Sequence, residues 1–147
     1  MVDVEAELQR SYSGRRLLVV DDEPVNREVA MLQLESAGLV VDLAIDGIKA
    51  VGMAEAGAYD AILMDMQMPG MDGLEATRRI RAGSPNRRTP IIAMTANAFA
   101  DDRARCLAAG MDDFLSKPFV PNALYATVLH WLASADEEVT VEAATAG

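Results

Sequence analysis

The feature that most constrains the fold is a regular alternation of short apolar segments with longer, helix-like segments. Apolar runs rich in β-branched residues occur at 16–21, 39–44, 59–65, 90–95 and 112–116. Patterns typical of helices cover 24–37, 47–56, 73–82, 98–109 and 121–133. Because apolar strands that alternate with helices are usually parallel and covered on both faces, we expect five βα units around one sheet. The predicted class is α/β.

Glycine and proline mark the ends of these units. An Ala-Gly pair follows four of the helix-like stretches, at 37–38, 56–57, 82–83 and 109–110. Glycine most readily ends a helix in the left-handed conformation, so we expect a helix C-terminus at each pair. Pro24 and Pro121 fit the first turns of the first and fifth predicted helices, where a missing N–H costs little.

The length of 147 residues favours a single domain with its own core. We expect this domain at 15–133, after an N-terminal extension or linker at 1–14 and before an acidic, disordered tail at 134–147. The apolar runs are too short to cross a bilayer, and the acidic start lacks the layout of a signal peptide. Cys106 is the only cysteine, which excludes an internal disulfide and fits a reducing compartment. We therefore expect a cytoplasmic protein with no direct membrane insertion.

The charge pattern argues against a nucleic-acid partner, because the formal net charge is −10. One basic segment, "RRIRAGSPNRR", holds five arginines between 78 and 88. Since it covers the end of a predicted helix and a loop, a solvated helix end is the favoured interpretation. His130 has no helical partner that would make a metal pair, so we expect a surface or helix-packing residue and no phosphodonor.

Polar side chains end four of the five predicted strands. Asp21 ends the first strand and Asp22 follows it. Asp65 ends the third strand, Thr95 ends the fourth, and Lys117 follows the fifth. The carboxyl ends of parallel strands meet at one edge of the sheet, where open α/β sheets bind their ligands. The alternative, a set of unrelated loop residues, requires this edge to collect three carboxylates, a hydroxyl and an ammonium by chance. We therefore expect one site.

The chemistry of this site follows from its charges. Three neighbouring carboxylates raise one another's pKa unless a cation intervenes, and oxygen ligands suit Mg²⁺, with Mn²⁺ as the alternative ion. Lys117 can neutralise the remaining charge, and Thr95 can donate a hydrogen bond to an oxyanion. Such a site is typical of phosphoryl transfer, in which the carboxylate of Asp65 is the nucleophile and forms an aspartyl-phosphate.

Four segments resemble the receiver domain of bacterial two-component response regulators, and most of all the receivers of hybrid histidine kinases: "LLVVDDEPVNREVA", "AILMDMQMPGMDGLEATRRIR", "IIAMTANA" and "GMDDFLSKPF". The resemblance covers roughly 15–133. Asp65 follows Asp21 by 44 residues, Thr95 follows Asp65 by 30, and Lys117 follows Thr95 by 22. It implies a flavodoxin-like sheet with strand order 2-1-3-4-5. It also implies a phosphoacceptor signalling domain of a phosphorelay, not an enzyme.

The resemblance implies a role for each residue of the acidic edge. Asp65 would accept a phosphoryl group from a phosphohistidine. Asp22 and Asp65 would bind Mg²⁺ directly, together with the backbone carbonyl of Gln67, and Asp21 would act mainly through a metal-bound water. Lys117 would pair with the phosphoryl oxygens.

A switch is also implied by the resemblance. Thr95 would move toward the phosphoryl oxygens, which lets Phe114 turn inward and changes the face made by the fourth predicted helix, the fifth strand and the fifth helix. A permanently buried core phenylalanine is the alternative for Phe114. Gln67 and Asn97 would flank the path of the hydrolytic water and tune dephosphorylation. The Lys117–Pro118 bond is expected to be cis, as in the family.

The implied partners are a histidine kinase, a histidine phosphotransfer protein, or both. A monomer or a weak homodimer through the switching face is expected. The alternative function is a Mg-dependent aspartyl-phosphate phosphatase or phosphotransferase that acts on a free substrate. Among these enzymes, those of the dehalogenase-like class place a second Asp two residues after the nucleophile, where this chain has Gln67. A nucleotide-binding module is a third hypothesis, but the chain has neither G-x-G-x-x-G nor G-x-x-x-x-G-K-[ST].

Overall fold

A computed structural model describes residues 3–96, 100–117 and 120–146, with side chains over 3–96, 103–117 and 120–135. Its five strands are β1 (Arg16–Val20), β2 (Val40–Ala44), β3 (Ala61–Asp65), β4 (Ile91–Thr95) and β5 (Asp113–Ser116). All neighbouring strands are parallel, and their order is β2-β1-β3-β4-β5. The predicted fold class and strand order are confirmed.

The described residues form six helices, one more than the sequence pattern predicts. They are α1 (Val4–Ser11), α2 (Pro24–Ser36), α3 (Gly47–Ala56), α4 (Gly73–Gly83), α5 (Ala100–Ala109) and α6 (Pro121–Ala146). Helices α2 to α6 correspond to the five predicted ones, and α1 lies in the segment expected to be an extension or linker. Helix α6 continues past 133 through most of the expected tail, because alanine and glutamate in that segment favour a helix. No helix of the described residues has the length and apolar character needed to span a bilayer.

The sheet separates two hydrophobic clusters, which explains why the central strands read as continuous apolar runs. Along β3, Ile62 and Met64 belong to one cluster, whereas Ala61 and Leu63 belong to the other. The first cluster includes buried residues of α3, α4 and α5, and the second includes those of α1, α2 and α6. Successive side chains of a strand point to opposite faces, and both faces of the sheet are covered, so every residue of β3 is buried. Asp65 is the last residue of this buried strand.

Helix α1 packs on the second cluster and against α2 and α6. Leu8 is fully buried, and Val4 and Tyr12 pack against the same cluster. The side chain of Gln9 donates a 2.7 Å hydrogen bond to the backbone oxygen of Ser36 at the end of α2. Sequence reasoning missed this helix because an eight-residue segment with a single fully buried side chain gives little periodic signal.

Replacing Leu8 with alanine is expected to lower the free energy of unfolding by about 2 kcal/mol, since it leaves a cavity in a fully buried position. Urea unfolding followed by circular dichroism measures the change. Arg10→Ala on the exposed side of the same helix is the matched control, and we expect it to change stability by less than about 0.5 kcal/mol. Equal effects of the two substitutions would contradict the packing of α1 onto the domain.

A helix ends at each of the four Ala-Gly pairs, as predicted, but the glycine is left-handed at only two of them. Gly38 and Gly110 follow α2 and α5 with φ of 89° and 106°, which is the left-handed region. Gly57 follows α3 in extended backbone, with φ of −165°. Gly83 lies inside the last turn of α4, where the hydroxyl of Ser84 donates to the backbone oxygen of Ile80 and ends the helix instead.

The basic segment at 78–88 is only partly a solvated helix end. Arg78 and Arg79 are exposed and pair with Glu75, as expected for that interpretation. The prediction is wrong for Arg81, whose side chain is only 18% exposed and lies 2.8 Å from a carboxylate oxygen of Asp112. Its guanidinium also donates to the backbone oxygens of Asn86, Arg87, Thr89 and Gly110. Arg81 therefore ties α4 to the connection between α5 and β5.

Candidate functional site

An acidic cluster lies where β1 and β3 end. Asp21 follows β1 and Asp65 ends β3, and their residues are only 1% and 4% exposed. Asp22 is exposed beside them. One carboxylate oxygen from each of the three residues lies within 4.8 Å of the other two. The sheet topology thus brings Asp65 to the adjacent pair Asp21 and Asp22, although Asp65 lies 44 residues after Asp21 in the sequence, and the three carboxylates suit a hard divalent cation.

Backbone contacts hold the first part of this cluster. The carboxylate of Asp21 accepts the backbone N–H of Glu23 at 2.9 Å, and Arg27 donates to the backbone oxygen of Asp21 at 2.8 Å. Glu23 is the N-cap of α2, where its side chain accepts the N–H of Val25. Since the Glu23 carboxylate caps the helix, the cluster proper consists of Asp21, Asp22 and Asp65.

Lys117 supplies positive charge to the same edge from the end of β5. Its ammonium nitrogen lies 3.0 Å from an oxygen of Asp21 and 3.3 Å from an oxygen of Asp65. Burial acts to lower the pKa of Lys117, but the neighbouring Asp21 and Asp65 carboxylates outweigh it and raise the pKa above its usual value. Lys117 contacts two of the three carboxylates of the cluster, and its single positive charge leaves an excess of negative charge, which a divalent cation can balance.

The surroundings of Asp65 shift the pKa of its carboxyl group. Burial raises the pKa of Asp65 to about 6, and repulsion from Asp21 adds to the increase. The N–H of Gln67, 3.1 Å from the Asp65 carboxylate, and the Lys117 ammonium act in the opposite direction. The ionised carboxylate is therefore destabilised unless a further positive charge reaches it.

This raised pKa predicts a pH dependence of stability in protein freed of divalent cations by EDTA. Between about pH 4 and about pH 6 the folded protein keeps the Asp65 proton while the unfolded chain has lost it, so the free energy of unfolding falls as pH rises. The expected loss is at most about 3 kcal/mol, since each pKa unit corresponds to about 1.4 kcal/mol, and Asp65 causes no further change above that window. Urea unfolding at several pH values measures it. Asp65→Asn should remove this component of the slope, and an identical slope in both proteins would contradict the assignment to Asp65.

The remaining predicted site residues lie around this edge. Thr95 ends β4, the strand beside β3, and is buried. Phe114 lies on β5, partly buried against the first cluster, with the guanidinium carbon of Arg103 5.4 Å from its ring centroid. It is therefore not the fully buried core residue that the alternative interpretation requires. Asn97 and Pro118 lie outside the described residues, so the second dephosphorylation-tuning residue and the cis bond stay predictions.

A cleft of about 430 Å³ opens beside the cluster, and sequence reasoning did not identify it. Its lining includes Gln67 and Thr95, a methionine-rich part of the loop between β3 and α4, and Arg105 of α5. The alanine-rich sequence around Arg105 carries no motif, so only the placement of α5 against the loop could reveal it. In the same region Cys106 is buried, and its thiol lies 3.4 Å from the sulfur of Met66.

Comparisons with known proteins agree on one family. A family profile described as "Response regulator receiver domain" matches residues 17–129. The Sensor protein GacS of Pseudomonas syringae pv. syringae is 41% identical over 133 residues, which cover 87% of this chain and 15% of that protein. Sensor histidine kinase RcsC of Salmonella typhi is 43% identical over 118 residues, covering 80% of this chain and 12% of that protein. The hypothesis of a free-substrate phosphatase receives no support from these matches.

A solved structure extends the likeness to the site. The receiver domain of sensor histidine kinase PA1611 from Pseudomonas aeruginosa PAO1 is 50% identical, with a TM-score of 0.77. The match covers 82% of this chain and 99% of that one, whose structure has a magnesium ion coordinated in the active site cleft. By contrast, the chain spans about 15% or less of the length of the two sensor proteins above.

Proposed function

The chain belongs to the response regulator receiver domain family, and on this premise we propose that it accepts a phosphoryl group from a phosphohistidine onto Asp65. One observation carries the proposal. The Asp65 carboxylate is buried at the end of a central strand, within 3.3 Å of the Lys117 ammonium and beside two further carboxylates. This combination suits a carboxylate that is a nucleophile in phosphoryl transfer.

The acidic cluster has the donor set for a magnesium ion, with manganese as the alternative. Asp22 and Asp65 would hold it directly with the backbone carbonyl of Gln67, and Asp21 would act through a metal-bound water. When bound, the ion supplies positive charge that offsets the negative charge of the phosphoryl oxygens. The magnesium ion in the PA1611 receiver supports this assignment.

The residues of the chain itself mainly supply position and charge. Strand β3 holds the Asp65 carboxylate rigidly, so that one of its oxygens can attack phosphorus in line with the departing group. Lys117 would then pair with the transferred phosphoryl oxygens as well as with Asp65, and Thr95 would donate a hydrogen bond to one of them. Gln67, together with Asn97, would control access of water to the aspartyl-phosphate. The Asp65 carboxylate and the Lys117 ammonium are in place before the donor arrives, which lowers the cost of reorganisation.

The proposed output is a change of the face made by α5, β5 and α6, which correspond to the fourth predicted helix, fifth strand and fifth predicted helix. Movement of Thr95 toward the phosphoryl group would allow Phe114 to turn inward. The contact between Phe114 and Arg103 links β5 to α5. The Trp131 indole N–H donates to Asp113 at 2.7 Å and links β5 to α6. A rotation of Phe114 would therefore disturb contacts of both helices.

A protein partner, either a histidine kinase or a histidine phosphotransfer protein, is the proposed donor. Val25, Val29 and Leu32 are 65%, 43% and 55% exposed on α2, the helix that begins beside Asp21 and Asp22. Their spacing places them on one face, and an apolar stripe that is exposed next to the acidic edge suits a helical partner. The receiver itself would be a monomer or a weak homodimer and would act as a switch, releasing no metabolite.

The test is to incubate the chain with acetyl phosphate in the presence of Mg²⁺ or EDTA and to measure intact mass, followed by peptide mapping. We expect one phosphoryl group that requires Mg²⁺ and maps to the peptide containing Asp65. Beryllofluoride with Mg²⁺ provides a second measurement, since it should shift NMR signals near Phe114 even if the phosphorylated form is short-lived. Absence of both the adduct and the shift would overturn the proposal. Repeated turnover of p-nitrophenyl phosphate would favour the phosphatase hypothesis.

A further inference from the structure

We propose that the cleft beside Asp65 receives the leaving group of small acyl phosphates, and that Arg105 stabilises the carboxylate that departs. The chain would then select acyl phosphates over phosphoramidates as small-molecule donors. This inference rests on the proposed function, because it concerns the donor side of transfer to Asp65. It assigns a specificity role to Arg105 of α5 and to Met66 and Met68 of the loop between β3 and α4. None of these residues belongs to the acidic cluster.

The cleft is lined by residues that neighbour Asp65, although the Asp65 side chain is not part of the lining. Thr95, at the end of the strand beside β3, and Gln67, whose N–H contacts the Asp65 carboxylate, both line it. Met66, the residue directly after Asp65, also lines it, and Arg105 of α5 lines it as well. We place the leaving group in this volume of about 430 Å³, which begins at the two residues that follow Asp65 in the chain.

The chemistry of the transfer places a charge at this point. An oxygen of the Asp65 carboxylate forms a bond to phosphorus, and the bond from phosphorus to the acyl oxygen breaks. The electron pair of that bond stays on the acyl oxygen, which leaves as a carboxylate without any proton transfer. In phosphoramidate the bond from phosphorus to the already protonated nitrogen breaks, and neutral ammonia leaves. Only the acyl donor therefore develops a negative leaving group, which a guanidinium can stabilise.

Arg105 supplies positive charge to the cleft. Asp72 also lines the cleft, but its carboxylate is the N-cap of α4 and accepts the N–H of Glu75 at 2.9 Å. The positive end of the α4 dipole compensates part of this negative charge. Lys117 is engaged by Asp21 and Asp65 within the acidic cluster. The guanidinium of Arg105 has five N–H donors in a fixed fork, so it can bind an anionic donor in addition to the interaction that Arg105 already makes within the protein.

The other lining residues suit the carbon part of an acyl group. Met68 and Leu74 are 8% and 4% exposed and face the cleft together with Met66. Thioether side chains adapt to groups of different shape, and they offer no hydrogen bond that would demand a particular polar partner. The cleft therefore has a cationic side for the carboxylate and an apolar wall for the chain behind it.

The test compares the rates of Asp65 phosphorylation by acetyl phosphate and by phosphoramidate, each measured by intact mass at saturating Mg²⁺. Arg105→Gln is expected to lower the ratio of the acetyl phosphate rate to the phosphoramidate rate by about two- to fivefold, as suits an exposed charge. Arg105→Lys keeps the charge and should recover at least half of the ratio. Arg10→Gln makes the same change of net charge on α1 and should leave the ratio at the value of the unmodified protein.

A series of donors tests the apolar wall in the unmodified protein. Propionyl and butyryl phosphate should react with a lower half-saturating concentration than acetyl phosphate, by up to about fourfold for each buried methylene. An unchanged ratio in Arg105→Gln, or an equal fall with both donors, would overturn the role of Arg105. Weaker binding of each longer donor would overturn the wall. If the unmodified protein reacts with neither donor and does not respond to beryllofluoride, the proposed function itself has failed.

Discussion

Replacing Asp65 with asparagine is expected to abolish phosphorylation of this chain by phosphohistidine and by small donors alike. The amide of asparagine has no anionic oxygen to attack phosphorus, and loss of a nucleophile commonly costs roughly 10³-fold or more in rate. The buried position at the end of β3 tolerates the amide, which has nearly the same shape. Intact mass followed over time, with Mg²⁺ and acetyl phosphate, measures the loss.

The matched control is Asp60→Asn. Asp60 precedes the other end of the same strand, and an asparagine there keeps an oxygen that can accept the N–H of Arg16, at 2.8 Å from the Asp60 carboxylate. We expect this variant to be phosphorylated at the rate of the unmodified protein. An adduct that persists in Asp65→Asn but is lost in Asp21→Asn or Asp22→Asn would move the acceptor to another member of the cluster.

The sheet could be predicted from sequence because its signals are local and redundant. Each strand is a short apolar run, each run is followed by a helix pattern, and parallel topology follows from that alternation. The observed strands β1 to β5 begin and end within two residues of the predicted bounds. The clustering of Asp21, Asp65 and Lys117 was predictable for the same reason, since parallel strands bring their carboxyl ends to one edge.

What the sequence did not reveal depends on which face of a helix meets a neighbour. The solvated interpretation of Arg81 follows from its place near a helix end, but its guanidinium turns into the domain and binds Asp112 and four backbone oxygens. Helix α1 needs the surface of α2 and α6 before Leu8 has anything to pack against. Arg105 lines the cleft only because α5 lies beside the loop after β3. Tertiary placement of this kind leaves no mark in local periodicity.

Gly73→Ala is expected to damage both stability and phosphorylation. Gly73 begins α4, and a Cβ atom there would overlap the backbone oxygen of Asp65 and lie 3.2 Å from its carbonyl carbon. Because the obstructing atoms belong to the backbone of β3, no side-chain rotation relieves the clash. We expect a loss of about 3 kcal/mol in the free energy of unfolding. We also expect phosphorylation to slow by about 100-fold, since displacement of Asp65 by about 1 Å misaligns the nucleophile. Urea unfolding and intact mass measure the two effects.

Gly52→Ala separates this clash from the general effect of adding a methyl group to a glycine in a helix. Gly52 lies within α3, and a Cβ atom there would meet nothing within 4 Å. We expect Gly52→Ala to raise the free energy of unfolding by about 0.5 to 1 kcal/mol, because alanine loses less conformational freedom in a helix. If Gly73→Ala lowers the free energy of unfolding and Gly52→Ala raises it, the loss at Gly73 comes from the clash with the backbone of Asp65 and not from the added methyl group itself. A Gly73→Ala protein that unfolds and reacts like the unmodified one would contradict the close packing of α4 on the phosphoacceptor strand.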